Sequence, residues 1–219
     1  LAITGTNGKT TTTALVGQIV KAYNEQTYVV GNIGNSYTGE VLKTSENSYT
    51  VAEISSFQLE TVHRFHPVVS AILNITPDHL NRHHTMECYA HTKERIAENQ
   101  TKDDVCVLNM EDEELYRFGS ECKASVVWFS SKRKPDKGAY LDGDDIRYTD
   151  GTQDKLMLNI HDMNLLGTHN YENVCAAIAM TKAVGIPDDI IIEQVKCFKA
   201  VEHRIEYVAT KKGVWYYND

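Results

Sequence analysis

Over the first 130 positions, short apolar runs alternate with longer segments in which apolar residues recur every three or four places. Residues 28–31, 49–53, 68–75, 105–109 and 125–129 are compact runs rich in Val, Ile and Tyr, the composition of strands buried in a sheet. The first helical pattern, residues 9–23, sets Leu15, Val16, Ile19, Val20 and Tyr23 on one face. Strands and helices in this alternation predict an α/β fold with a mostly parallel sheet flanked by helices. Leu1, Ala2, Ile3 and Thr4 read as the end of a further buried strand that runs straight into Gly5.

The pattern then changes. Residues 139–141 and 146–148 flank Asp142, Gly143, Asp144 and Asp145, which predicts a small antiparallel β-hairpin added to the parallel part. Residues 130–137 and 149–155 are polar and read as solvated loop. A further helix is predicted over 170–184, with Asn170 as its cap, Gly185 after its last turn and Pro187 beyond. Because the chain opens in mid-strand and closes on the aromatic run 214–219, it reads as a piece of a longer protein. Residues 1–200 then form one domain, and 201–219 a linker with the first strands of the next.

A chain of 219 residues has room for one large α/β domain. With 42% hydrophobic and 24% charged residues and no long apolar run, it is predicted to be globular and not inserted in a membrane. A net charge of −8 argues against a surface built to coat nucleic acid. Cys88, Cys106, Cys122, Cys175 and Cys197 are odd in number and contain no CxxC pair. Neither a disulfide framework nor a thiolate zinc site follows, and a reducing cytoplasm fits.

The chemistry begins at Gly5, Thr6, Asn7, Gly8, Lys9, Thr10 and Thr11. The common phosphate loop is GxxxxGK[ST], whose amides surround phosphate oxygens, whose lysine reaches the outer phosphates and whose hydroxyl holds magnesium. Here the spacing is shorter, GxxGKT, with Ile3 where the longer loop has its first glycine. The parts are nonetheless present: two glycines, a helix N-terminus, a lysine and a hydroxyl. A nucleotide phosphate is the predicted ligand.

Glu53 closes a strand, where doubly wound sheets place ligands, and its hard oxygen suits Mg2+; an ordinary loop carboxylate is the plainer reading. Lys93 shares a helical stripe with Met86, Tyr89, Ala90, Ile96 and Ala97, while His91, Glu94, Arg95 and Glu98 take the other side. A lysine facing inward is unusual, although it can also snorkel to solvent. His79, His83, His84 and His91 match no standard zinc spacing, and His63, His66, His83, His84 and His91 read as surface residues. Asn32, flanked by glycine, is a turn residue or a substrate contact, and Ser55 is a weaker substrate candidate.

GTNGKTT, GNIG (31–34), EISSFQLE (53–60), NITPDHLNRH (74–83), TKERIAEN and GTHNYEN (167–173), in this order and spacing, resemble the Mur ligases over nearly the whole chain. SSFQLE and PDHLNRH are most similar to the members that join D-glutamate to UDP-N-acetylmuramoyl-L-alanine. The resemblance implies the central ATPase domain of a three-domain enzyme of peptidoglycan precursor synthesis, with the N-terminal domain and most of the C-terminal domain missing. It implies ATP-dependent amide-bond formation through an acyl phosphate, and little activity from this piece alone. It also implies site roles: Glu53 as a magnesium ligand with Thr10, His79 as the ligand of a second magnesium near the substrate carboxylate, Lys93 as a carbamylated lysine supporting the metal site, and Asn173 on adenine. Arg204 would reach ATP, and Asp219 would meet the nucleotide. Two other readings stand beside it, a nucleotide-dependent switch module and a folylpolyglutamate synthase-like ligase; the SSFQLE segment argues against the latter.

Overall fold

The computed structural model describes residues 1–199 and 206–218, with side chains from 209 to 216 in the second stretch. The shortest strand of the main sheet, β1 (Ala2–Thr4), lies between β3 (Tyr49–Glu53) and β4 (Val69–Ile72), parallel to both. Ile3 sits opposite Glu53, and Thr4 opposite Ile72. On the β3 side the sheet ends at β2 (Thr27–Gly31); on the β4 side it continues through β5 (Val105–Asn109), β6 (Ser125–Ser130), β7 (Gly138–Asp142), β8 (Asp145–Thr149) and β9 (Asp154–Asn159). The order β2-β3-β1-β4-β5-β6-β7-β8-β9 is parallel as far as β7. It is antiparallel from β7 to β9.

The predicted hairpin is present as β7 and β8, added to the parallel part. Its first strand pairs with β6, so it lengthens the main sheet, and Asp154 begins a strand where the sequence suggested loop to 155. Lys155 and Leu156 are both exposed and Met157 and Leu158 both buried, so the strand carries no alternation to read. A separate two-stranded antiparallel sheet joins β10 (Glu206–Lys211) to β11 (Val214–Asn218).

Side chains alternate across β1 and β5, so both faces of the sheet are buried. Ile3 and Val107 face a core shared with α1 (Lys9–Tyr23), α7 (Thr168–Ala183) and α8 (Asp188–Cys197). Ala2, Cys106 and Leu108 face the opposite core, with Leu59 of α3 (Ser56–Leu59), Tyr89 of α5 (Met86–Glu94) and Leu115 of α6 (Glu113–Glu121). Two short helices, α2 (Tyr37–Glu40) and α4 (Leu80–His83), lie in the connecting segments.

Helix α1 runs over the residues its periodicity predicts, and Leu15, Val16, Ile19 and Val20 are fully buried, whereas Tyr23 emerges at its end. Helix α7 is buried all round from Asn173 to Thr181, the signature of a helix enclosed by neighbours rather than lying on a surface. It starts earlier than predicted. Its cap is Gly167, and Asn170 lies inside the first turn, where its amide donates to the Leu166 carbonyl at 2.8 Å.

Candidate functional site

The strand order reverses at β1, and such a reversal leaves a crevice outside the carboxyl ends of the strands. Gly5 follows β1 there, and Glu53 ends the neighbouring β3. The turn into α1 needs Gly8 in the left-handed region (φ 81°), and a Cβ on it would collide with Oδ1 of Asn173 from α7. With glycine in that place, no side chain caps α1. The first-turn amides and the positive end of the helix dipole therefore face the crevice.

Two ammonium groups converge on one carbonyl. Lys9 Nζ donates to Gly5 O at 2.9 Å and to Thr6 O at 2.8 Å, and Lys93 Nζ donates to the same Gly5 O at 2.8 Å. Lys93 is only 1% exposed and packs its ammonium 4.7 Å from the centre of the Tyr89 ring. Burial, and then the adjacent Lys9 charge, lower its pKa to about 7, against a smaller opposing pull from Asp78. The inward lysine predicted from the stripe is thus found, and solvent does not reach it. The opposite face is less uniform than its sequence suggested: Glu94 is also buried, held by His91 at 2.7 Å and Arg117 at 2.8 Å.

Glu53 is 1% exposed. One carboxylate oxygen accepts from Asn32 Nδ2 at 2.8 Å, while Oε2 is buried without a hydrogen-bond partner among the described residues. The plainer reading of an exposed loop carboxylate is overturned. Asn32 also donates its backbone N–H to Glu53 O at 2.9 Å, so this exposed turn residue orients the strand-end carboxylate. Gly31 must be glycine for the approach, since a Cβ there would strike Glu53 O.

Elsewhere the predicted residues are more dispersed. His79 adopts a left-handed backbone (φ 51°), uncommon for a residue with a side chain, and is half exposed. Its contacts are Asp78, at 3.4 Å from Nε2, and Phe57, ring centres 5.0 Å apart. Ser55 caps α3 in a reciprocal capping box with Gln58, an arrangement that satisfies two helix-end donors. Asn173 is buried and accepts from Thr12 Oγ1 at 3.3 Å. Arg204 and Asp219 lie outside the described residues. His83 corrects the surface reading: it is buried, its Nε2 lies 3.0 Å from Ser56 Oγ, and burial lowers its pKa.

Sequence reasoning missed the residues that hold the loop in place. Asn74 and Thr76, just after β4, bind Thr6 and Asn7, and Tyr89 OH lies 3.2 Å from Thr6 Oγ1. Asp112 Oδ2 accepts from Ile75 N at 2.7 Å. An asparagine in a quoted motif was the only available signal, and nothing in its spacing named its partner.

The Mur ligase middle domain model matches residues 3–181. A Lachnospira eligens protein named UDP-N-acetylmuramoylalanine--D-glutamate ligase is 84% identical over 219 residues, all of this chain and 49% of its own length. A protein of the same name from Clostridioides difficile is 49% identical over 220 residues, covering 48% of its length. The chain thus spans about half the length of the curated relatives it matches. Among solved structures, MurF from Acinetobacter baumannii superposes with a TM-score of 0.74 at 19% identity, covering 100% of this chain and 49% of that one. The UDP-N-acetylmuramate-alanine ligase MurC from Thermotoga maritima gives 0.70 at 23%, covering 100% and 50%. These two likenesses bear on fold alone.

Proposed function

The chain belongs to the Mur ligase family, and from that premise we propose that its crevice is the ATP-binding, carboxylate-activating centre of an enzyme joining D-glutamate to UDP-N-acetylmuramoyl-L-alanine. The observation that carries this reading is the Lys9 ammonium, held on Gly5 O and Thr6 O at the uncapped start of α1. A cation at an uncapped helix N-terminus is a site for an anion.

A carboxylate is a poor electrophile, and making it an acyl phosphate with ATP lets the D-glutamate amine displace phosphate. Negative charge gathers in both steps, so prearranged cations and donors supply most of the stabilisation. Lys9 and the first-turn amides of α1 bind the phosphates. Thr6 and Asn7 contribute mainly by shaping the loop, because their amides already serve Asn74. Asn173 buttresses Gly8 and offers its amide on the adenine side. Arg204 and Asp219 complete the nucleotide site, and Asn32 and Ser55 border the substrate.

The donor set fits Mg2+. A buried carboxylate oxygen without a partner is costly, and Glu53 Oε2 is such an atom. Among the described residues no three His, Cys, Asp or Glu side chains gather around one point; in this reading Glu53 and Thr10 would hold one cation and His79 a second near the acceptor carboxylate, each completed by phosphate and water oxygens. When bound, Mg2+ supplies charge neutralisation to the transferring phosphoryl group. Lys93 carries a carbamate in this reading. At a pKa of about 7, about half of its amine is neutral at pH 7, against about 1 in 3,000 for an ordinary lysine, and only the neutral amine adds CO2. The resulting anion would face Lys9 as a partner instead of a like charge.

The test is ligation by the protein extended to the full length of its relatives. With ATP, Mg2+, UDP-N-acetylmuramoyl-L-alanine and D-glutamate it should form one amide and one phosphate per turnover. Phosphate release without amide would favour a switch module, and an amide formed only on a folate acceptor would favour the folylpolyglutamate synthase-like reading.

A further inference from the structure

Residues 74–76 close over the phosphate loop through hydrogen bonds from both backbone and side chain. Thr6 N donates to Asn74 O at 2.9 Å. The Asn74 side chain then exchanges two bonds with the backbone of Asn7: Asn7 N donates to Oδ1 at 2.8 Å, and Nδ2 donates to Asn7 O at 3.2 Å. Thr76 N donates to Thr6 Oγ1 at 3.0 Å, and that hydroxyl can donate to Thr76 O at 3.2 Å. Only a planar amide offers a donor and an acceptor side by side; aspartate would supply the acceptor alone, and an apolar residue neither.

What Asn74 grips on its other side gives the contact its importance. Residues 73–78 have no regular structure, and they lead directly to His79 and α4. Asp112 fixes Ile75 from behind. The clasp is thus the direct polar connection between the loop that binds phosphate and the segment that carries His79.

We propose that Asn74 is a positioning residue that couples occupancy of the phosphate loop to the ordering of the His79 segment. An anion bound at the start of α1 restrains the loop, and the two bonds between Asn7 and Asn74 pass that restraint to residues 74–79, where the acceptor carboxylate is handled. Ordering of this kind couples two sites without a large displacement. The proposal rests on the nucleotide reading given above.

Hydrogen exchange read by mass spectrometry on the whole chain, with and without ADP and Mg2+, tests it. In the unaltered protein ADP should slow exchange both in residues 5–12 and in residues 73–83. In Asn74→Ala, ADP should still protect residues 9–12, with an affinity about tenfold weaker, but the protection of 73–83 should fall clearly, the Thr6 bonds to Asn74 O and Thr76 being all that remains of the clasp. If Asn74→Ala does not fold, Asn74→Asp carries the test, since it keeps the acceptor for Asn7 N–H and loses the donor; reduced protection of 73–83 supports the coupling. Undiminished protection in a folded variant overturns it, as does ADP binding by the unaltered protein with no change in 73–83. Failure of the unaltered protein to bind ADP at all would instead remove the nucleotide reading, and the coupling with it.

Discussion

Lys93 shows how a single residue can be a burden to the fold and a tool for the site. Its ammonium is buried with a carbonyl and an aromatic face for company and, among the described residues, with no carboxylate bonded to it, and Gly5 O would keep Lys9 as a donor if Lys93 were lost. Lys93→Met, similar in length and apolar, should therefore raise the stability of this chain by about 1–2 kcal/mol in CO2-free buffer, and in the protein extended to the full length of its relatives it should abolish the proposed ligation. The sign of the pH effect follows from the lowered pKa of about 7. Below pH 7 both folded and unfolded forms hold the proton, and the burial penalty is present in full. Between pH 7 and the ordinary lysine value the unfolded chain binds more protons, so stability of the unaltered protein rises with pH. Denaturant midpoints of the two proteins should accordingly lie furthest apart near pH 6 and converge towards pH 9; parallel curves would show that Lys93 titrates normally.

Among the elements, α6 illustrates a helix whose cap serves two masters. Asp112 Oδ1 accepts from Glu114 N and Leu115 N, and Oδ2 accepts from Ile75 N. Asp112→Ala should cost about 2 kcal/mol, seen as a lower denaturant midpoint, and should loosen residues 74–79 in hydrogen exchange. An equal loss confined to α6 would mean that the bond to Ile75 carries nothing. Helix α1 and strands β3 and β5 were legible to the residue because burial on both sheet faces or on one helix face imposes a period on the sequence. Strand β9 was not, since Leu156 is exposed and the Lys and Asp around it imitate loop composition. The start of α7 was misplaced because Asn170 has a capping residue's chemistry, whereas Gly167, with φ 95°, actually makes the turn.

At the scale of the whole molecule, the proposed nucleotide binding would be linked to folding. A ligand that binds only the native state at 100 times its Kd stabilises by about 2.7 kcal/mol. ADP with Mg2+ should raise the melting temperature of this chain, and Lys9→Ala should abolish the shift while leaving the unliganded melting point nearly unchanged. A shift that survives Lys9→Ala would place the nucleotide elsewhere. The sequence by itself determined the α/β class, the glycine loop between β1 and α1 and the inward stripe that bears Lys93, because each is written in local order: an apolar period, two glycines before a lysine, a cation among core residues. Only the tertiary structure decided that Lys9 and Lys93 share Gly5 O, that Asn32 holds Glu53 with one oxygen left over, that His83 and Glu94 are buried, and that Asn74 clasps Asn7. The decisive partners, Lys93 with Gly5, Asn74 with Asn7, Asn32 with Glu53, His83 with Ser56 and Arg117 with Glu94, lie more than 20 residues apart along the chain, so no periodicity within one segment could reveal them.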